Sequence, residues 1–142
     1  MKIRVPIADA VELGSWFEAY AWTPDLDIYN FRFKILSCEE INLYENFSKK
    51  VWPEKLILLR LTLSVVNLYK KGVSLNNILK AILISDKSGL EVSYDRFYFE
   101  ESNLNPEIKY TGLVEYILSR YDLTQYCVTF FGDAQKKGQA GF

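Results

Sequence analysis

The chain of 142 residues contains no histidine. That absence excludes Ser-His-Asp and Cys-His catalysis, His-ligated zinc or haem, and imidazole acid–base chemistry. Its two cysteines, Cys38 and Cys127, are too few to complete a zinc or iron–sulfur site by themselves. The seven glycines form no loop with phosphate-binding spacing, so nucleotide chemistry has no motif to rest on. Charge of either sign is also missing in excess: 17 basic against 18 acidic residues leave a net charge of −1 and no global field to draw the chain onto nucleic acid or an anionic membrane. No apolar run approaches the length of a membrane span, and Met1-Lys2-Ile3-Arg4-Val5-Pro6 lacks the apolar stretch of a signal peptide. These features predict a soluble protein, cytoplasmic or part of a virion or other large assembly, and extracellular only if a signal was removed.

What is present supports a full core. Hydrophobic residues make up 49% and aromatics 15% of the chain, and a single domain of this size buries about 68% of the surface its unfolded chain exposes. Metal or disulfide staples are unnecessary. A Cys38–Cys127 bridge would add on the order of 4–5 kcal/mol, but reduced thiols packed as small apolar residues are the expectation.

The stretch from Trp52 to Phe99 carries the clearest pattern. Between Leu56 and Asn67 the odd positions Ile57, Leu59, Leu61, Leu63 and Val65 are all apolar, while Arg60, Thr62 and Ser64 share the other face with Leu58. A strand from Ile78 to Ser85 is expected to run into Asp86-Lys87-Ser88-Gly89, where Asp can hold the turn backbone and Gly can adopt positive φ, before Leu90–Tyr94. Ile3–Ile7 reads as a first strand, with Pro6 marking a sheet edge. Val11–Gly14 reads as a strand ending in a turn, and Phe31–Ile35 alternates through Cys38. Ile41–Val51 is a polar connection. Gly112–Tyr121 fits both periods, and its branched and aromatic residues favour a strand; Tyr126–Phe131 is another. Short strands between turn signals imply a mostly β fold of two packed antiparallel sheets, as a single domain over residues 1–131 with a flexible C-terminal tail over 132–142.

Within that frame, Ser15–Asn30 packs Trp16, Phe17, Tyr20, Trp22 and Tyr29 around Thr23-Pro24-Asp25 with no clean period. It reads as an aromatic-rich loop insertion. Its rings, Trp16, Tyr20 and Trp22, are the candidate partner-binding residues, because flat rings anchor interfaces and stack on sugar faces. Phe142 joins them as the end of a tail able to order on a neighbouring subunit. Paired carboxylates at Asp25 and Asp27, Glu39 and Glu40, and Glu100 and Glu101 are the remaining chemistry. Such pairs can serve glycoside chemistry or bind calcium, but adjacent acids on a strand face opposite ways, which weakens both for the Glu pairs and makes Asp25-Leu26-Asp27 the better calcium candidate, against the commoner reading of solvated loop acids.

The run Leu59–Leu75, followed by Leu83–Val92 with its Asp-x-x-Gly hairpin, resembles the middle of small immunoglobulin-like domains of prokaryotic exported and accessory proteins. Those domains combine a strand ending in Asn, a polar turn and such a hairpin. The resemblance implies an immunoglobulin-like sandwich and carries over no functional residue. Together these readings predict a non-enzymatic module, without cofactor, that binds protein or self-associates, with an edge strand near Pro6 or the tail pairing with a neighbour. A small cytosolic inhibitor or immunity-type protein, and a carbohydrate-binding module using exposed aromatics, are the alternatives. No nucleic-acid partner is expected.

Overall fold

In the computed structural model, which describes residues 2–6, 13–22, 27–42, 57–86, 88–118 and 126–132, the strands are β1 (Lys2–Pro6), β2 (Trp16–Trp22), β3 (Ile28–Asn42), β4 (Ile57–Asn67), β5 (Val73–Ser74), β6 (Leu83–Asp86), β7 (Glu91–Val92), β8 (Arg96–Tyr98), β9 (Asn103–Leu104), β10 (Lys109–Leu118) and β11 (Tyr126–Gly132). A short helix, α1 (Leu75–Leu79), lies between β5 and β6. The fold is mostly β with antiparallel sheets, as the alternating runs predict. No helix among the described residues is long and apolar enough to cross a membrane.

Alternation dictates the central strands. Ile57, Leu59, Leu61, Leu63 and Val65 of β4 are all buried on one face, and β4 is fully paired between β3 and β10. The ambiguous stretch after Gly112 is strand throughout its described part: Val114, Tyr116 and Leu118 of β10 point into the same core. β3 alternates through Phe31, Phe33 and Ile35, and a bulge at Leu36 re-phases it before Ser37 pairs with Thr62. Asn67 ends β4 because its buried amide ties the following turn together. Its Nδ2 donates to the carbonyls of Lys71 and Leu104, and its Oδ1 accepts from the Tyr69 N–H.

The nine-stranded sheet runs β7-β6-β11-β2-β3-β4-β10-β8, with β1 added beside β11. Its key strand is β11. One edge pairs with β1, from Lys2 opposite Phe131 to Pro6 opposite Cys127. The other edge pairs first with β6, up to Leu83 opposite Thr129, and then with β2, from Tyr20 opposite Phe131. β11 therefore joins two layers, and the inner faces of those layers pack against each other. Phe33 of β3 meets Phe130 of β11 edge to face at 4.9 Å, Phe17 of β2 sits 5.6 Å from the same ring, and the Tyr116 hydroxyl donates to the Ile82 carbonyl at 2.9 Å. Among the described residues β1 pairs with β11 alone, the edge position that Pro6 predicts. Β5 and β9 form a separate two-stranded ribbon.

Three expectations need correction. The Ser15–Asn30 stretch is not a loop: Trp16–Trp22 is strand β2, and β3 begins at Ile28. The pattern escapes notice because large and small are inverted. Phe17, Ala19 and Ala21 point inward while Trp16, Glu18, Tyr20 and Trp22 point outward, so the bulkiest rings mark the wet face. Second, Ile78 does not begin a strand. Leu75, Ile78, Leu79 and Ile82, all buried, follow helical spacing around α1, and the strand starts at Leu83. Third, the proposed polar connection from Ile41 starts too early, because β3 runs on through Asn42. β11 also extends to Gly132, one residue beyond the expected domain limit. Residues 133–142, Val11, Glu12 and Thr23–Leu26 lie outside the described residues.

Candidate surface on strand β2

The outward face of β2 places its aromatics in a row, and the neighbouring strands decide what each can do. Trp16 stands opposite Lys34 of β3, with Glu18 opposite Arg32. The Lys34 ammonium lies 4.6 Å and the Arg32 guanidinium carbon 5.5 Å from the Trp16 ring centroid. These cation–π contacts occupy the ring, and Trp16 is half-buried. It serves the sheet at this end of β2.

At the other end the surface is apolar and open. Trp22 is 46% exposed and stands opposite Ile28, which is 56% exposed. Tyr20 stands opposite Phe131 of β11, itself 39% exposed, and the Phe131 ring meets Trp22 edge to face at 5.0 Å. Trp22, Ile28 and Phe131, with the half-buried Tyr20 opposite Phe131, thus form one patch across three strands. Contiguous exposed apolar area of this kind marks interaction surfaces, whereas isolated exposed apolar residues do not.

The patch borders a groove of about 250 Å³. It opens where β2 and β6 part company on the edge of β11, at Phe130. Tyr20, Ala21 and Trp22 line one side, and Leu83, Phe130 and Phe131 line the floor and far wall. Asn77, Lys80 and Ala81, from α1 and the turn after it, complete the rim. The structure brings Tyr20 and Trp22 together here and leaves Trp16 apart. Phe142 lies outside the described residues. Ile28, Phe131 and the groove residues are additions that sequence reading missed. Phe131 carried a signal in the doublet Phe130-Phe131, which must send one ring to each face of a strand.

The other polar groups are structural in their geometry. Glu115, buried on β10, accepts from Arg60 Nε at 2.9 Å and Nη2 at 2.7 Å, with Glu39 3.6 Å from Arg60 Nη1. The contact to Glu115 is the main reason the Arg60 guanidinium holds its proton more tightly than usual. Hydroxyl pairs Ser37–Thr62 and Ser64–Thr111, each at 2.8 Å, bridge neighbouring strands. Cys38 and Cys127 are half-buried and unbridged. Burial, with the charge of Glu40 adding to it, pushes the Cys38 thiol up, away from the reactive thiolate. Asp27 is exposed, Asp25 lies outside the described residues, and Glu100 and Glu101 are exposed. Among the described residues no group of three or more His, Cys, Asp or Glu is placed to hold a metal ion.

The chain matches no protein-family model and no curated protein. Among solved structures it is similar to the crystal structure of an ApaG protein from Pseudomonas aeruginosa, with a TM-score of 0.42 and 12% sequence identity over 63% of this chain and 80% of that one.

Proposed function

We propose that this protein is a non-enzymatic binding module whose contact surface is the far end of β2, and that it acts on a protein partner or on further copies of itself. The observation carrying this reading is the continuous apolar patch of Trp22, Ile28, Phe131 and Tyr20 beside an open groove. Aromatic rings fixed on strands present large contact area at low entropic cost. An immunoglobulin-like accessory or assembly subunit is the version most in keeping with the turn pattern of Leu59–Val92.

The chemistry available elsewhere supports binding over catalysis. The chain has no histidine, and its buried carboxylate at Glu115 is neutralised by Arg60. The carbohydrate alternative draws less support, since Trp16 is engaged by two cations and Trp22 meets Phe131 at 88°, which offers no flat two-ring platform.

The test compares the full chain with a Trp22→Ser/Ile28→Ser variant. Light scattering after size exclusion reads self-association, and affinity capture from a lysate of the source cells reads other partners. An oligomer or a captured protein that the variant loses supports the reading. Binding that survives the double substitution moves the contact elsewhere, and a shift of Trp22 fluorescence on glycan titration, with no protein bound, favours the carbohydrate module.

A further inference from the structure

The groove at the fork of β2 and β6 narrows what the partner presents. Its size comes first. Pockets that hold drug-sized ligands measure roughly 300–1,000 Å³, and this one measures about 250 Å³. It suits one bulky side chain better than a nucleotide or cofactor. Ala21 and Ala81 contribute a single methyl each to the lining, which is what keeps the space open above Phe130 and Leu83.

Its charge comes second. Among the described residues Lys80 is the one charged member of the lining, it is exposed, and no carboxylate joins it there. Asn77 lies three positions earlier, on the same side of the helical turn, and adds amide donors. An apolar cavity with a cation and an amide at its mouth complements an apolar group next to an anion. The rings of Trp22 and Phe131 carry the contact outward from the groove, so the occupant continues beyond it and belongs to a chain.

We infer that this groove is the anchor site for a linear segment of a protein partner in which a Phe- or Leu-sized residue stands next to Asp or Glu. The apolar side chain enters against Phe130 and Leu83, the neighbouring carboxylate meets the Lys80 ammonium and the Asn77 amide, and the flanking backbone crosses Trp22 and Phe131. This rests on the protein-binding reading of β2 and adds the partner's chemistry to it.

The experiment titrates the full-length ¹⁵N-labelled chain with two blocked peptides, acetyl-Gly-Phe-Asp-Gly-amide and its Asn counterpart, and reads the Trp22 indole N–H and the backbone amides of Lys80 and Ala81. The Asp peptide is expected to shift these signals and to bind about threefold tighter than the Asn peptide. Lys80→Glu, at an exposed position that leaves the fold intact, should remove that preference or reverse it, and Ala81→Leu should fill the groove and abolish both responses. Shifts at Trp22 that neither Lys80→Glu nor Ala81→Leu alters overturn the anchor while leaving the surface reading standing. No shift at millimolar peptide also overturns the anchor, and the surface reading is then judged by the Trp22→Ser/Ile28→Ser comparison alone.

Discussion

Glu115 and Arg60 face each other across β10 and β4, and the buried carboxylate takes two hydrogen bonds from one guanidinium, at 2.9 and 2.7 Å. Only 5% of Glu115 is exposed, so that guanidinium stands where water would otherwise bind the carboxylate. Arg60→Ala should cost about 2–3 kcal/mol, because it strands a buried anion, whereas the double change Arg60→Met/Glu115→Leu should recover most of the loss. Urea unfolding of Arg60→Met, Glu115→Leu and the Arg60→Met/Glu115→Leu double variant measures the coupling, and Arg60→Ala alongside reads the cost of the stranded anion.

Tyr29 is buried, and its hydroxyl has no hydrogen-bond partner among the described residues. Tyr29→Phe should therefore be neutral or stabilise by up to about 1 kcal/mol. Burial also raises the Tyr29 hydroxyl to about 12, against about 10 in an unfolded chain. The folded state keeps the proton that the unfolded state releases, so the stability tied to this group is constant below about pH 10 and falls as pH rises toward 12. Denaturation curves at about pH 8 and pH 11 should show a smaller alkaline loss in Tyr29→Phe than in the unaltered chain. The remainder belongs in part to Tyr116, whose hydroxyl is raised by the same burial.

Gly112 admits no side chain. A Cβ there would stand 2.5 Å from both Phe99 Cγ and the Tyr98 carbonyl oxygen, just before β10 pairs with β8. Gly112→Ala should cost about 2–3 kcal/mol and loosen β8 from the sheet. Hydrogen exchange at Phe97 and Tyr98, with denaturant unfolding alongside, checks both effects.

The hairpin after β6 hangs on one carboxylate oxygen. Asp86 Oδ1 accepts from the Ser88 N–H at 2.9 Å and the Leu90 N–H at 3.0 Å, and Gly89 follows at φ +91°. Asp86→Ala should cost about 1 kcal/mol and Gly89→Ala a similar amount, since no space but only backbone strain opposes the added methyl. Thermal unfolding of each variant reads the loss.

Trp16 and Trp22 should separate in function although they share one face of β2. Trp16→Ala removes its contacts with Lys34 and Arg32 and should cost about 1 kcal/mol of stability, with partner binding kept. Comparing unfolding and binding for Trp16→Ala and Trp22→Ala tests the division.

β4 was readable because its period is unbroken from Ile57 to Val65 and both neighbours extend along it. The turn at Asp86 was readable because its chemistry is local. β2 was not, since its inward residues include two alanines and its outward ones two tryptophans, the reverse of what an amphipathic strand shows. α1 is too short for a period to emerge, though Leu75, Ile78, Leu79 and Ile82 held it. Trp22 and Tyr20 were nameable as candidate contact residues, though not the face each takes. The groove was not, because it arises from where β11 passes from β6 to β2, a property of pairings 40 or more residues apart in sequence, such as Asp86 with Tyr126.

That same strand sets the pace of assembly. β11 bonds to partners near Lys2, near Tyr20 and near Leu83, so each of its ladders closes a long loop before it gains a contact. Local hairpins such as β2–β3 and β6–β7 can form early and wait. Chains dominated by such distant pairings fold on the millisecond-to-second scale. Until β11 docks, Phe17 and Phe33 have no Phe130 to cover them, and the half-built sheet exposes its stickiest face.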